Sequence, residues 1–178
     1  MPVRYVCDYC NKFEFESEDG QLVQQKMLEH TKTHRHNLFE DIQEFHTKFE
    51  LPPLDKPGFL SIELMRFRIN FIREELQEFI DAWDSYLFNE NNTAYPEYYA
   101  HIHIEQAFDA LIDLTYVTLG TAYLMGLPFN DGWKEVHHCN MQKVRAKIES
   151  DSKRGSTYDV VKPEGWQAPN LEKFIGDK

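Results

Sequence analysis

The stretch that decides the fold is FIREELQEFIDAW, residues 71–83. It carries Glu74, Glu75 and Glu78 inside a run of aromatic and aliphatic side chains. At about 100° per residue, the apolar positions Ile72, Leu76 and Trp83 fall on one helical face. Glu75 then lies about 80° from the centre of that face and Glu78 slightly beyond, in the sector of Arg68, Phe71 and Ala82. Glu74 points away, toward solvent. The helix so defined runs from about Ser61 to Tyr86, with an apolar stripe of Met65, Ile69, Ile72, Leu76, Phe79 and Trp83. Carboxylates along the edge of such a stripe require a chemical reason.

On either side the texture stays helical. Leu38, Ile42, Phe45 and Phe49 recur at helical spacing behind Asn37, a residue type suited to an N-cap. LPPLDKPG (51–58) breaks that pattern with three prolines and a glycine. NENNTAYPE (89–97) reads as a loop. A third helix is expected from about His101 to Met125, apolar nearly all round as a central element should be. GLPFNDG (126–132) punctuates, and a fourth helix is expected from about Gly132 to Ser150. The reading is an all-α helical bundle over residues 37–150, an extended tail over 151–178, and a polar Cys- and His-containing module over 1–36.

Composition bounds the function. The chain has 178 residues, 42% hydrophobic and 14% aromatic, which suits one globular domain with a small appendage. A formal net charge of −11 argues against a surface that wraps nucleic acid. No apolar run is long enough for a membrane span, and MPVRYVCDYC lacks the apolar core of a signal peptide, so a cytoplasmic protein is expected. The three cysteines comprise a C-x-x-C pair and a distant Cys139, a pattern that suggests metal rather than disulfides.

The third helix repeats the oddity of the second. In FDALIDLTYVTLG (108–120), Asp113 sits within an apolar run and Asp109 one turn before it. Gln106, Asp109, Asp113, Tyr116 and Gly120 share one sector. Burying an unpaired carboxylate costs several kcal/mol, so Asp113 needs a cation, a donor or a proton. An ion pair with Arg68 is one answer, and acidic pairs on helices commonly serve as solvated faces or ion-pair partners. A metal is the other. Two helices, each offering an acidic pair to a bundle interior, make an oxygen-rich site for Mg²⁺ or Mn²⁺. No histidine stands three residues after Glu75 or Asp109, against the Glu-x-x-His pattern of di-iron bundles.

The expected fourth helix lines Trp133, Val136, His137, Asn140 and Val144 along one stripe, which turns Asn140 inward and sets Lys143 at the edge. Arg145, Lys147, Lys153 and Arg154 gather positive charge beyond it, as a phosphate grip would. Arg145 and Lys147 also suit a helix C-terminus on dipole grounds alone. No glycine-rich phosphate loop of either common type is present.

REELQEF (73–79), DALIDLTYVTLG (109–120) and VHHCNMQKV (136–144), taken in order, resemble the all-α nucleoside triphosphate pyrophosphohydrolases, the MazG-like group that includes phosphoribosyl-ATP pyrophosphohydrolase. The resemblance covers about residues 38–150. With LDKPGF, DSKRGS and DVVKPEGW added, the chain is similar to MazG-like proteins of bacteriophages. The resemblance implies that Glu74, Glu75 and Glu78 match the family's E-E-x-x-E, with Glu75 and Glu78 as Mg²⁺ (or Mn²⁺) ligands. Asp113 matches the Asp of E-x-x-D, while Ala110 stands where the Glu belongs and Asp109 is the substitute. Asn140 and Lys143 match N-x-x-K, which contacts substrate. The implied catalytic residues are Glu75, Glu78 and Asp113, and the implied substrate contacts include Arg68, Lys153 and Arg154. The implied reaction is hydrolysis of a nucleoside triphosphate, a deoxynucleotide by preference, to the monophosphate and pyrophosphate. Phe71, Tyr116 and Trp166 are candidates to stack the base. A homodimer or homotetramer is the implied assembly.

The N-terminal module reads Cys7-x2-Cys10-x19-His30-x3-His34. It resembles a Cys2His2 zinc finger with an over-long middle, and His30 and His34 are one helical turn apart, as ligands of one structural Zn²⁺ would be. His36 is a rival ligand. Acidic and basic residues nearly balance there, so a structural use is expected rather than reading of nucleic acid. Two further readings remain open: a phosphoribosyl-ATP pyrophosphohydrolase, and a zinc-finger binding protein whose helical body only dimerises.

Overall fold

The elements follow from local signals that can be named one by one. The computed structural model describes residues 2–6, 14–33, 37–92 and 96–176. It divides into two units, Met1–Leu38 and Phe39–Lys178.

In the first unit, β1 (Val3–Val6) pairs antiparallel with β2 (Glu14–Ser17), Val3 opposite Ser17 and Val6 opposite Glu14. Helix α1 (Gly20–Thr33) follows. Its start is fixed by Asp19, whose Oδ1 accepts the N–H groups of Gln21 at 2.9 Å and Leu22 at 3.2 Å. Val23 is its buried anchor. His30 lies on this helix, whereas Cys7, Cys10 and His34, with the rival His36, fall outside the described residues.

The second unit is mostly helical: α2 (Leu38–Lys48), α3 (Ile62–Asn92), α4 (Pro96–Leu124) and α5 (Phe129–Asn140), with a four-residue α6 (Glu172–Ile175). No single helix among the described residues is long and apolar enough to cross a membrane. Of the expected 89–97 loop, residues 89–92 belong to α3 and 96–97 to α4, while 93–95 fall outside the described residues. Phe88 carries the apolar pattern of α3 onward, and Pro96 opens α4, where its missing N–H costs nothing.

Helix α4 ends in a Schellman turn. The Leu127 N–H donates to the Ala122 carbonyl at 3.1 Å and the Gly126 N–H to the Tyr123 carbonyl at 2.9 Å. Gly126 has φ +65°, and a Cβ there would stand 2.6 Å from the Leu54 carbonyl oxygen, so only glycine fits. That turn bends α5 away from α4 by 118°. It also receives the proline-rich connector, since Leu54 N–H bonds the Leu124 carbonyl and Gly58 N–H that of Met125, both at 3.0 Å.

The fourth helix corrects the expectation. It stops at Asn140, ten residues short of Ser150, and Val144–Arg145 form β3, paired antiparallel with β4 (Val160–Val161). β-branched Val144 opposite Val161 suits a strand better than a helix. A single 3-10 turn (Glu149–Asp151) lies between the two strands. Asn140, Lys143, Arg145 and Lys147 therefore do not share a helical face, and Asn140 is exposed in this chain instead of facing inward. The residue of α5 that packs inward is Cys139.

The core joins α2 to the C-terminal half of α4. Phe39, Ile42, Leu119 and Ala122 form it, with Tyr116, Tyr123, Leu127 and Phe129 packed around them. Phe39 stacks on Phe129 with centroids 5.4 Å apart. The buried line of α2 is thus Phe39, Ile42 and His46, rotated from the expected stripe; Leu38, Phe45 and Phe49 stay exposed. On α3 the buried positions are Arg68, Glu75 and Ala82, two turns apart each, while Ile69, Leu76 and Trp83 of the expected stripe are exposed.

Candidate active site

Helices α3 and α4 pack along their lengths, and this pairing brings the two acidic motifs together. One pocket of about 300 Å³ is lined by Phe45, His46, Arg68, Phe71, Glu75, Asp113, Tyr116 and Val117. A second, of about 270 Å³, is lined by Glu78, Asp81, Ala82, Ser85, Gln106 and Asp109. Glu75 and Glu78 are one turn apart on α3, and Asp109 and Asp113 one turn apart on α4, so the pockets adjoin along one groove.

Burial distributes differently from the sequence reading. The buried carboxylate is Glu75, at 7% exposure, whereas Asp113, Asp109, Glu78 and Glu74 are exposed. Burial, then the charges of Glu78, Asp113, Glu74 and Asp109, push the Glu75 carboxyl above its ordinary value of 4.5. Four acids therefore act on one buried acid. Ala110, which stands where the family pattern has Glu, is itself buried at 2% exposure, and Asp109 beside it faces the pocket that Glu78 lines.

The cation in this groove does not neutralise them. Arg68 is buried at 8% exposure; its Nε donates to Thr121 Oγ1 at 3.0 Å and its Nη2 to the Val117 carbonyl at 2.6 Å. The ion pair with Asp113 considered from sequence is not formed. Arg68 also lies over Phe71, 5.6 Å from the ring centroid. Among the described residues its Nη1 has no partner and no fully enclosed side-chain nitrogen or oxygen lacks one, so Nη1 opens to solvent.

His46 escaped the sequence reading, which took α2 as packing only. It is 2% exposed, and its Nδ1 sits 2.8 Å from the Ile42 carbonyl, so Nδ1 carries the proton. Burial lowers its pKa foremost; the Ile42 bond raises it, and nearby Arg68 lowers it further. The ring is neutral at pH 7, and by the same reasoning its unpaired Nε2 opens to solvent as an acceptor. The available signal was its position four residues after Ile42, on the buried line of α2. Gly120 makes this arrangement fit, because a Cβ there would come within 2.9 Å of His46 Cε1 and 3.0 Å of Arg68 Nη2.

The remaining expected contacts lie outside both pockets. Arg154 is engaged by Asp159 at 2.8 and 2.9 Å, and Ser152 Oγ donates to the same carboxylate at 2.6 Å. These bonds hold the Asp159 carboxyl below its usual range. Lys153 and Asn140 are exposed, and Lys143 sits near Trp166, whose Nε1 donates to the Cys139 carbonyl at 2.8 Å. Of the aromatics expected to stack a base, Phe71 and Tyr116 line the Glu75 pocket and Trp166 does not.

The donor set suits a hard divalent cation: carboxylate oxygens, excess negative charge about Glu75, and, among the described residues, no side-chain bond at Glu75, Glu78, Asp109 or Asp113. Among the described residues no three acidic, His or Cys side chains converge on one point as the rotamers stand.

Compared with known proteins, residues 42–140 match the model of the phosphoribosyl-ATP pyrophosphohydrolase family. No curated protein matches the chain. The match begins at the buried line of α2, spans both acidic helices and ends with α5. It covers more than half of the chain, which therefore belongs to the phosphoribosyl-ATP pyrophosphohydrolase family, hydrolases of phosphoric anhydrides in the MazG-like superfamily.

Proposed function

We propose that this chain is a divalent-metal-dependent pyrophosphohydrolase that cleaves a deoxynucleoside triphosphate to its monophosphate and pyrophosphate. The observation that carries this reading is the crowding of Glu78, Asp109 and Asp113 about buried Glu75 without a neutralising cation. Glu75, Glu78 and Asp113 would hold Mg²⁺ or Mn²⁺, with Asp109 in place of the missing Glu. Such a metal supplies charge neutralisation at the phosphates and acidifies water near them. Arg68 Nη1 offers a fixed cationic donor to a phosphate or carbonyl oxygen, and neutral His46 Nε2 offers an acceptor beside it. Phe45, Phe71 and Tyr116 give the pocket aromatic walls suited to a base.

The second reading is phosphoribosyl-ATP as substrate, favoured by the description of the matching family itself. Assaying both substrate classes with Mg²⁺ separates the two.

A homodimer or homotetramer is part of the proposal. Ile69, Leu76 and Trp83 on α3, and Ile104, Phe108 and Ile112 on α4, are all 40% exposed or more. Large apolar side chains exposed along two packed helices are the kind a second copy covers. Light scattering tests it. For the first unit we propose a structural Zn²⁺ held by Cys7, Cys10, His30 and His34. Support comes from the element order, a hairpin followed by a helix, which is the order of zinc fingers, with Cys7 and Cys10 between the strands in sequence.

A further inference from the structure

Lys143 follows α5, its backbone N–H donating to the Asn140 carbonyl at 3.1 Å, and Lys162 follows β4. Val144 pairs with Val161 in the hairpin, so the register carried one residue outward sets Lys143 across from Lys162. Both ammonium groups lie against one ring: Lys162 Nζ is 4.3 Å and Lys143 Nζ 5.7 Å from the Trp166 centroid. That ring is fixed by its Nε1 bond to the Cys139 carbonyl at 2.8 Å and by the turn that closes Trp166 N–H onto the Pro163 carbonyl.

Like charges facing each other across a strand pair repel. Three other cations of this region are paired with acids, Arg154 with Asp159, Lys173 with Glu135 and Lys134 with Asp131, and Arg145 Nε donates to the Thr157 carbonyl. Lys143 and Lys162 have no acidic partner among the described residues, in a chain with 30 acidic and 19 basic residues. The ring holds both stems yet leaves N–H donors on each ammonium for oxygen acceptors.

We propose that Lys162 joins Lys143 in a grip for a phosphate-class anion, with Trp166 as the residue that positions both. The choice of anion rests on the pyrophosphohydrolase reading: the substrate's polyphosphate tail, or the pyrophosphate it releases. Two oxygens of a polyphosphate bridging the ammonium groups would turn their repulsion into attraction.

Calorimetric titration of the full chain in Mg²⁺ with inorganic pyrophosphate and with inorganic tripolyphosphate tests this. Lys162→Ala should weaken binding about tenfold, the scale of one charge-assisted hydrogen bond. Lys162→Arg should stay near wild type, and Lys173→Ala should change nothing. Lys162→Gln replaces the alanine variant if that one fails to fold by circular dichroism. Weakening for tripolyphosphate alone assigns the grip to the substrate tail, and weakening for pyrophosphate assigns it to the product. Equal affinity in Lys162→Ala and wild type, or no binding by wild type, overturns the grip. A wild type that hydrolyses neither a nucleoside triphosphate nor phosphoribosyl-ATP, yet loses anion binding in Lys162→Ala, overturns the catalytic reading and leaves the grip standing.

Discussion

Arg68 and Glu75 lie two turns apart on the buried line of α3 and line the same pocket, but the guanidinium bonds Thr121 and the Val117 carbonyl and leaves the carboxylate unpaired. A buried anion and a buried cation held apart in one pocket keep both charges available to a ligand. An ion pair would have quenched both. Removing a neighbour of Glu75 should therefore cost function and leave the fold intact. Glu78→Gln and Asp113→Asn are each expected to lower the hydrolysis rate about a hundredfold or more, at unchanged circular dichroism.

Glu75 links catalysis to stability. Its folded pKa lies above the ordinary 4.5, so below pH 4.5 both folded and unfolded states are protonated and no penalty operates. As pH rises through the raised folded value the unfolded chain ionises first, and stability falls. In EDTA, wild type should lose thermal stability over this window relative to Glu75→Gln. Mg²⁺ should then raise the midpoint of wild type more than that of the variant. Equal pH profiles for the two proteins contradict this account of Glu75.

His46 has the opposite sign. Its folded pKa is lowered, so its contribution is full above the ordinary value of 6.5 and is lost as pH falls through the folded value. His46→Gln is expected to remove that acid-side loss in melts between pH 7 and pH 5.

Gly120→Ala tests the packing that sets Arg68 and His46. A Cβ at 2.9 Å from the buried imidazole and 3.0 Å from the guanidinium must displace one of them. The expected cost is about 1–3 kcal/mol by denaturant unfolding, with a raised KM. An unchanged KM would show that the side chain displaced takes no part in substrate binding.

The acidic helices were legible because a 3.6-residue period and misplaced carboxylates are local properties of FIREELQEFIDAW and FDALIDLTYVTLG. Which carboxylate is buried was not legible. A hydrophobic stripe marks a face that a helix could bury, whereas the line of α3 buried in this chain is Arg68, Glu75 and Ala82. The end of α5 was missed for a different reason. Asn140 and Val144 fit a helical stripe, but Val144 pairs with Val161, seventeen residues away, and no local period reports such a partner. His46 went unseen because a histidine on an apolar face ordinarily packs and does nothing more.

The most direct test measures pyrophosphate release with Mg²⁺ from the eight common nucleoside and deoxynucleoside triphosphates and from phosphoribosyl-ATP, for wild type and Glu78→Gln. The account predicts release from one or a few deoxynucleotides by wild type and near-complete loss in the variant. Release from phosphoribosyl-ATP alone would contradict the substrate assignment, and undiminished release by folded Glu78→Gln would contradict the carboxylate site itself.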